Sequence, residues 1–209
     1  MDIKPNHNAS VFGKIAKKYT KQYFNDQTDF PYIDRFLNSL LPKGKVLDVA
    51  CGPGMLTKYI LNKGFRAEGI DLSPEMLAIA RQKVPSANFQ VMDMRALDYP
   101  AQHFDGIVVA YGLIYLPSSE LGLALKGFYR ILKPGGSIFL INQEGEPDHE
   151  EHESMKPDET LYVNFFTPQS ISDALSKASF TITSQTVMPT DNPDVMARAV
   201  IYTLAKKPT

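Results

Sequence analysis

Two glycines, Gly52 and Gly54, follow a short run of aliphatic residues that contains the acid Asp48. Because glycine has no Cβ, the backbone there can adopt a positive φ and a ligand can lie almost against it. An apolar helical pattern begins at Met55, so the unpaired N–H groups and the positive dipole end of a helix would face this loop. The arrangement predicts a site for a nucleotide-like ligand.

The residues after the glycines distinguish this loop from other glycine-rich loops. A phosphate-binding P-loop needs a lysine followed by serine or threonine, whereas Met55 and Leu56 follow Gly54 here, which excludes that motif. The dinucleotide fingerprint needs a third glycine where Thr57 stands, so a nicotinamide-dependent oxidoreductase is a weaker alternative. A strand-to-helix turn that binds no ligand is a further alternative.

Two more acids follow predicted strands. Asp71 ends the second strand of a predicted βαβ unit, and Asp93 comes after a third strand over residues 88–92. Because the carboxyl ends of parallel strands meet at one edge of a sheet, we expect both carboxylates to lie beside the glycine loop. An acid in the position of Asp71 can accept hydrogen bonds from both ribose hydroxyls of an adenosine.

Three segments resemble the class I S-adenosylmethionine (SAM)-dependent methyltransferases. Residues 47–54 (LDVACGPG) resemble the first motif of that family, residues 69–77 (GIDLSPEML) its second cofactor segment, and residues 132–141 (LKPGGSIFLI) another hallmark. Ala50 stands where the family has its first glycine. The resemblance implies a methyltransferase that uses SAM as its cofactor and releases S-adenosylhomocysteine.

The resemblance also implies roles for individual residues. Asp48 would precede the turn beneath the methionine part of SAM, Asp93 would accept from the adenine amino group, and the backbone of Met94 would contact the ring. The end of the fourth strand would face the methyl group, so Tyr111 and Tyr115 are candidate contacts of the acceptor, and no catalytic residue is indicated. The predicted cofactor residues are Tyr19, Asp48, Ala50, Cys51, Gly52, Gly54, Asp71, Leu72, Met76, Asp93, Met94 and Ala110.

The predicted fold class is α/β, with a three-layer, Rossmann-like, doubly wound sheet that is mostly parallel and has an antiparallel C-terminal strand. Residues 104–110 are nearly continuously apolar, as expected for a strand that is covered on both faces. Residues 1–42 would form an N-terminal helical cap. Residues 43–209 would form the SAM-binding methyltransferase domain as a single globular unit.

The first 42 residues contain two helical patterns. The first runs from about residue 10 to 25, with lysines forming a solvated face between the apolar positions. The second runs from near Pro31 to just before Pro42. We expect Tyr23 to belong to the core, whereas Tyr19 could belong to the core or to a lid over the site.

Residues 142–158 are charged, lack apolar periodicity and are predicted to form a loop. His149, His152 and Glu153 could share a helical face, but their spacing is not that of zinc hydrolases, so we expect no metal. One interpretation is a solvated acidic loop. The other is a substrate lid in which one of these side chains acts as a base, closing over the site together with the first helix.

Composition limits the partners and the compartment. A formal net charge of −1 over 209 residues provides no electrostatic footprint for nucleic acid. Cys51 is the single cysteine, so no disulfide framework is expected, and the sequence shows no secretory signal or membrane span. We expect a cytoplasmic monomer or homodimer with no nucleic-acid or membrane partner.

Residues near the predicted acceptor side disfavour two kinds of methyltransferase. Nucleobase amino methylation commonly uses an Asn/Asp-Pro-Pro-aromatic segment, which residues 110–113 do not match. Methylation of a pyrimidine carbon through an adduct needs a free cysteine near the acceptor, yet Cys51 belongs to the glycine loop. The favoured substrate is therefore a small molecule, methylated on oxygen, nitrogen or sulfur. The alternative is a catalytically silent SAM-binding or interaction protein on the same fold.

Overall fold

The computed structural model describes residues 4–190 and 197–209. The helices are α1 (Lys4–Tyr23), α2 (Phe30–Asn38), α3 (Met55–Asn62), α4 (Pro74–Lys83), α5 (Ser118–Ile131) and α6 (Pro168–Lys177), with a short 3-10 helix at Leu113–Tyr115. The strands are β1 (Lys45–Val49), β2 (Arg66–Asp71), β3 (Asn88–Val91), β4 (Phe104–Ala110), β5 (Leu132–Glu144), β6 (His149–Glu153), β7 (Lys156–Val163), β8 (Thr181–Pro189) and β9 (Ala199–Lys206). Within the described ranges, every helix is too short or too polar to cross a bilayer.

Seven strands form one sheet in the order β3-β2-β1-β4-β5-β9-β8. The neighbours from β3 to β5 pair in parallel, whereas β9 runs antiparallel to both β5 and β8. The strand order reverses direction between β1 and β4, which is the place where ligands bind in doubly wound sheets. The predicted α/β class, with a mostly parallel sheet and an antiparallel strand at the C-terminal end, is confirmed.

Both faces of the sheet are buried. Leu47 and Val49 of β1 point into an apolar cluster that includes α5, and Val46 points into a second cluster with α2 and α3 on the other face. This alternation follows the two-residue period of a strand. The central strand β4 is buried along most of its length, as its continuous apolar sequence predicts.

Helix α2 packs directly on the sheet. Its Phe36 is fully buried, and a Cβ on Gly106 of β4 would lie 2.8 Å from the Phe36 ring, so the glycine provides the space for this contact. The helix ends at Asn38 rather than just before Pro42, which corrects the predicted boundary. Leu41 lies beyond it and is 75% exposed.

Helix α1 lies over the carboxyl ends of the strands. It begins at Lys4, six residues earlier than predicted, and ends at Tyr23. The prediction that Tyr23 belongs to the core is wrong: its side chain is half-buried, and its ring lies 4.8 Å from that of Tyr19. A Cβ on Gly13 would lie 2.6 Å from a carboxylate oxygen of Glu75, so the glycine allows α1 to approach the start of α4.

The charged stretch after residue 142 is not a loop. Strand β5 continues to Glu144, and β6 and β7 form a separate two-stranded antiparallel sheet, named here the hairpin. His149 and His152 are three residues apart on a strand and therefore point to opposite faces, so the shared helical face is also wrong. The prediction failed because the partners that stabilise this hairpin come from α1, far away in sequence.

Candidate functional site

A cavity of about 820 Å³, including its mouth, lies at the carboxyl ends of β1 to β4 and beneath α1. The predicted site residues that line it are Tyr19, Ala50, Gly52, Asp71, Leu72, Met76, Asp93, Met94, Ala110, Tyr111 and Tyr115. Lining residues outside the predicted set include Asn8, Phe12, Gly112 and Leu116, of which the last two belong to the segment after the fourth strand that was expected to face the methyl group.

The glycine loop forms the floor of the cavity. Ala50, Gly52 and Gly54 all have positive φ, at 55°, 52° and 85°. A Cβ on Gly52 would meet nothing within 4 Å, so this residue faces open space in which a ligand can lie. Ala50 approaches Gly112, whose added Cβ would be 2.7 Å from that of the alanine. The loop is therefore shaped by left-handed conformations that bring bare backbone to the cavity.

Three predicted cofactor residues lie behind the loop and do not line the cavity: Asp48, Cys51 and Gly54. Cys51 is buried in a cluster with Phe89 of β3, and burial raises the pKa of its thiol well above the ordinary value. A Cβ on Gly54 would lie 3.0 Å from the Phe89 ring, so this glycine serves packing. These three residues therefore support the loop from below. The sequence motif alone does not distinguish such a supporting residue from one that contacts the ligand.

Asp48 is a buried acid with one side-chain partner. It is 1% exposed, and the Thr57 hydroxyl at the start of α3 donates to its Oδ2 at 2.6 Å. Burial raises the pKa of Asp48 from 3.8 to about 7, although the bonds from Thr57 oppose this shift. The pair joins the end of β1 to α3 across the loop, so it positions the glycines.

Asp71 joins the ends of β1 and β2. Its two carboxylate oxygens accept from the backbone N–H groups of Gly52 and Ser73, each at 2.8 Å. Burial raises the pKa of the carboxyl group, and the backbone hydrogen bonds partly offset that effect. Because these bonds hold the carboxylate in one orientation, its remaining lone pairs face the cavity in a defined position.

Asp93 is held by a residue that the sequence did not single out. The Arg95 guanidinium donates to both oxygens of Asp93, at 2.5–3.0 Å, and to Glu120 of α5 at 2.6 Å. The Arg95 side chain is 1% exposed, so it braces Asp93 from behind. The Asp-x-Arg spacing was visible in the sequence, but its partner on α5 was not.

An aromatic wall, formed by Phe12, Tyr19 and Tyr115, closes the α1 side of the cavity. The Phe12 ring meets the Tyr115 ring edge to face at 5.0 Å and the Tyr19 ring at 5.9 Å. Edge-to-face pairs of this kind are favourable beyond their buried area. Tyr19 was expected either in the core or in a lid over the site. Its position in this wall, on α1 over the cavity, corresponds to the second.

Tyr111 has a backbone φ of 56°, which is unusual for a bulky residue. Its N–H donates to the Ile141 carbonyl at 2.8 Å, and its hydroxyl donates to Asp29 at 3.3 Å. The Tyr202 hydroxyl donates to the same Asp29 oxygen at 2.7 Å. Strained residues that are held by several partners are common at binding sites. The hydrogen bonds to Ile141 and Asp29 hold Tyr111 so that its ring lies at the cavity.

The hairpin holds α1 in place. The Asn8 amide donates to the Tyr162 carbonyl at 2.7 Å and accepts from the Tyr162 N–H at 3.0 Å. Lys14 pairs with Glu159 at 2.5 Å, and Lys18 donates to the Met155 carbonyl at 2.9 Å. These two lysines thus have partners on the hairpin instead of forming a purely solvated face. We call α1 and the hairpin together the cap.

No metal site is evident in the described part of the chain, because no three His, Cys, Asp or Glu side chains are grouped to hold an ion. His149 is paired with Glu151 at 2.9 Å, and His152 is exposed. Glu153 is buried, and one of its oxygens accepts from the Met155 N–H at the hairpin turn. The acidic segment thus belongs to the cap.

Known proteins share this architecture and part of the sequence. A family model described as a methyltransferase domain matches residues 46–136. The demethylmenaquinone methyltransferase of Chlorobaculum parvum is 34% identical over 137 residues, which cover 65% of this chain and 54% of that protein. UbiE of Shewanella oneidensis, a ubiquinone/menaquinone biosynthesis C-methyltransferase, is 33% identical over 165 residues, which cover 71% of this chain and 63% of that protein. The chain therefore matches somewhat more than half the length of these relatives.

A solved structure has the same fold over most of the chain. The 1,6-didemethyltoxoflavin-N1-methyltransferase of Burkholderia thailandensis, with bound 1,6-didemethyltoxoflavin and S-adenosylhomocysteine, has a TM-score of 0.75. The alignment covers 96% of this chain and 87% of that one at 22% identity. The matched family model contains β1 to β4 and the glycine loop, so this part of the chain is similar to methyltransferase domains, and the solved structure extends the likeness in fold to most of the remaining chain.

Proposed function

We propose that this protein transfers a methyl group from SAM to a small organic acceptor. The observation that carries the proposal is that one cavity joins the bare backbone at Gly52 to the carboxylates of Asp71 and Asp93 and to the aromatic wall. A cofactor with an adenosine end and an amino-acid end needs the first three features. The second molecule, the small acceptor, needs the aromatic wall as a surface to bind against.

The lining residues suit SAM in chemistry and order. The space in front of Gly52 would take the methionine part, Asp71 would accept from the ribose hydroxyls, and Asp93 would accept from the adenine amino group. Ala50 would contribute backbone, and Tyr19 would contact the cofactor from α1. The apolar contacts would come from Leu72, Met76, Met94 and Ala110.

When bound, SAM supplies an electrophilic methyl group on a sulfonium, so the protein mainly has to orient the acceptor and exclude water. The rings of Tyr111 and Tyr115 line the part of the cavity beyond the strand ends, where they would contact an acceptor. The cap covers the same part. Such positioning alone can lower the barrier by roughly 7–11 kcal/mol. A general base would add to this where the acceptor must lose a proton.

The test measures binding and turnover separately. Isothermal titration calorimetry with SAM, S-adenosylhomocysteine and NAD should show saturable binding of the first two and none of the third. S-adenosylhomocysteine should then accumulate with at least one member of a panel of phenols, quinols, thiols and heteroaromatic amines. Binding of NAD in place of SAM would contradict the proposal. Tight SAM binding with no product from any acceptor would favour the silent binding protein.

A further inference from the structure

The described residues that line the cavity carry acids and hydroxyls. Among the described residues that line it, the titratable groups are Asp71, Asp93 and three tyrosines, and none is a lysine, arginine or histidine. Both carboxylates lie at the strand ends, on the side proposed for the cofactor. The acceptor side therefore presents aromatic rings, hydroxyls and apolar groups such as Leu116.

Three basic side chains of the elements around the cavity, Arg95, Lys14 and Lys18, have partners elsewhere. Arg95 is enclosed by Asp93 and Glu120, and its side chain is 1% exposed. Lys14 and Lys18 of α1 bond to the outer hairpin, and they lie on the side of the helix away from Phe12. An anionic acceptor would thus enter without a side-chain cation to pair with.

Negative charge surrounds the aromatic wall instead. Glu153 of the hairpin is buried, and together with Glu151 it acts electrostatically on the Tyr115 hydroxyl. Burial raises the pKa of Tyr115 well above its ordinary value, and Tyr19 and these two acids raise it further. A tyrosine hydroxyl is protonated at neutral pH, so this one can donate as well as accept. It makes no hydrogen bond to another described residue.

The energetic consequence differs with the charge of the acceptor. Removing an anion from water without a paired cation is costly, and nearby carboxylates increase that cost. A planar neutral molecule can stack against the wall and bond to the free hydroxyl. An ammonium gains in addition from the ring faces and from the acidic surroundings.

We infer that the acceptor of this methyltransferase is a planar molecule that is uncharged or cationic, and that carboxylates and phosphate esters are excluded. The inference rests on the proposed function, because it assigns the part of the wall formed by Phe12 and Tyr115 to the acceptor. The absence of basic side chains at the wall, the free Tyr115 hydroxyl and the buried Glu153 carry it.

The test uses three probes of one shape on the protein saturated with S-adenosylhomocysteine. The probes are 2-naphthalenemethanol, 2-naphthylmethylammonium and 2-naphthoate, which differ mainly in charge. We expect the alcohol and the ammonium to bind at least tenfold more tightly than the carboxylate by calorimetry or ligand-observed NMR. Equal or tighter binding of the carboxylate would overturn the inference. The inference would also be overturned if all three probes had dissociation constants in the millimolar range or higher.

Two variants test whether the wall is responsible. Tyr115→Phe keeps the ring and removes the hydroxyl, so the affinity for the alcohol should fall several-fold. Tyr129→Phe is the matched control, since that ring packs on Phe180 outside the cavity. Ala9→Lys places a cation in the lining of α1, and naphthoate affinity should rise at least fivefold. If the lysine leaves the order of the probes unchanged, charge at this wall does not select the acceptor.

The same samples separate this inference from the proposed function. S-adenosylhomocysteine affinity is measured first, without any probe. Binding of the cofactor product with a reversed probe order overturns the acceptor class alone. A protein that does not bind S-adenosylhomocysteine overturns the methyltransferase proposal, and the acceptor class with it.

Discussion

The strand-end side of the cavity and the cap are built by different kinds of contact. At the strand ends, Asp71 bonds to Ser73 two residues away and to Gly52 on the neighbouring loop. In the cap, Asn8 bonds to Tyr162, which is 154 residues away. The first side is thus held by loops whose shape is encoded locally. The second side exists only when distant segments meet, so we expect it to open more easily.

The largest expected effect concerns the buried acid beneath the glycine loop. Because the pKa of Asp48 is raised from 3.8 to about 7 in the folded protein, the folded state binds the proton more tightly than the unfolded chain. Its contribution to stability is fully present below about pH 4 and is lost as the pH rises through about 7. The loss corresponds to about 4 kcal/mol between these limits.

Asp48→Asn is neutral at every pH and should lack this dependence. Chemical denaturation of both proteins from pH 4 to pH 8 would measure the difference, since other titrating groups are common to the two. The difference in unfolding free energy should shift in favour of the variant as the pH rises. If the unfolding free energies of the two proteins change with pH in the same way, Asp48 does not titrate in this range.

The second prediction contrasts two glycines with positive φ. Gly52→Ala should weaken SAM binding more than 200-fold, about 3 kcal/mol, because the new methyl group occupies the ligand's space. Gly64→Ala is the control: it also has a positive φ and open space, but it lies at the end of α3, outside the cavity lining. Both variants bear the conformational cost, and only the first should lose the ligand. Equal SAM affinities in calorimetry would remove Gly52 from the cofactor site.

The third prediction tests the acid at the end of β2. Asp71→Ala should weaken SAM binding by about 1.5–3 kcal/mol, roughly 10- to 150-fold, through loss of charge-assisted hydrogen bonds. It also frees the Gly52 N–H, so both effects lower the affinity. Asp34→Ala removes an aspartate of α2 that pairs with Lys63 away from the cavity, and it should bind SAM like the wild type. An unchanged dissociation constant for the folded Asp71 variant would exclude the ribose contact.

The smallest expected effects lie in the cap. Asn8→Ala leaves the N–H and carbonyl of Tyr162 without their partner, which should cost about 2 kcal/mol. Hydrogen exchange in residues 4–23 and 149–163 should then be roughly 30-fold faster, while the glycine loop is unaffected. Lys14→Gln breaks a pair whose lysine is 45% exposed, so its effect should stay below about 1 kcal/mol.

The cap comparison has a clear opposite outcome. If Asn8→Ala accelerates exchange equally in the cap and in the glycine loop, the two sides of the cavity open as one unit. SAM should also add protection to residues 4–23 and 149–163 in the wild type. Protection confined to the glycine loop would show that the cap does not close on the cofactor.

The sequence predicts local geometry well where one segment determines it. Gly52 has the left-handed conformation expected of a glycine in a tight loop, and Asp71 ends β2 as expected, whereas their contacts with a cofactor stay predictions. The same reasoning placed Cys51 and Gly54 in the cofactor site, whereas both pack behind the loop. A motif shows which residues form a turn, but burial decides which of them face the ligand.

The sequence by itself determined the parallel α/β sheet, the glycine loop and the acids at the strand ends, because these depend on local periodicity and turn chemistry. Tertiary structure alone decided the cap. Residues 149–163 carry too few apolar residues to predict strands, and they form a hairpin because Asn8, Lys14 and Lys18 supply partners for it. The contact between Arg95 and Glu120 of α5 likewise joins two segments that are distant in sequence. Contacts between distant segments do not produce a periodic pattern in the sequence of either segment, so the sequence alone does not predict them.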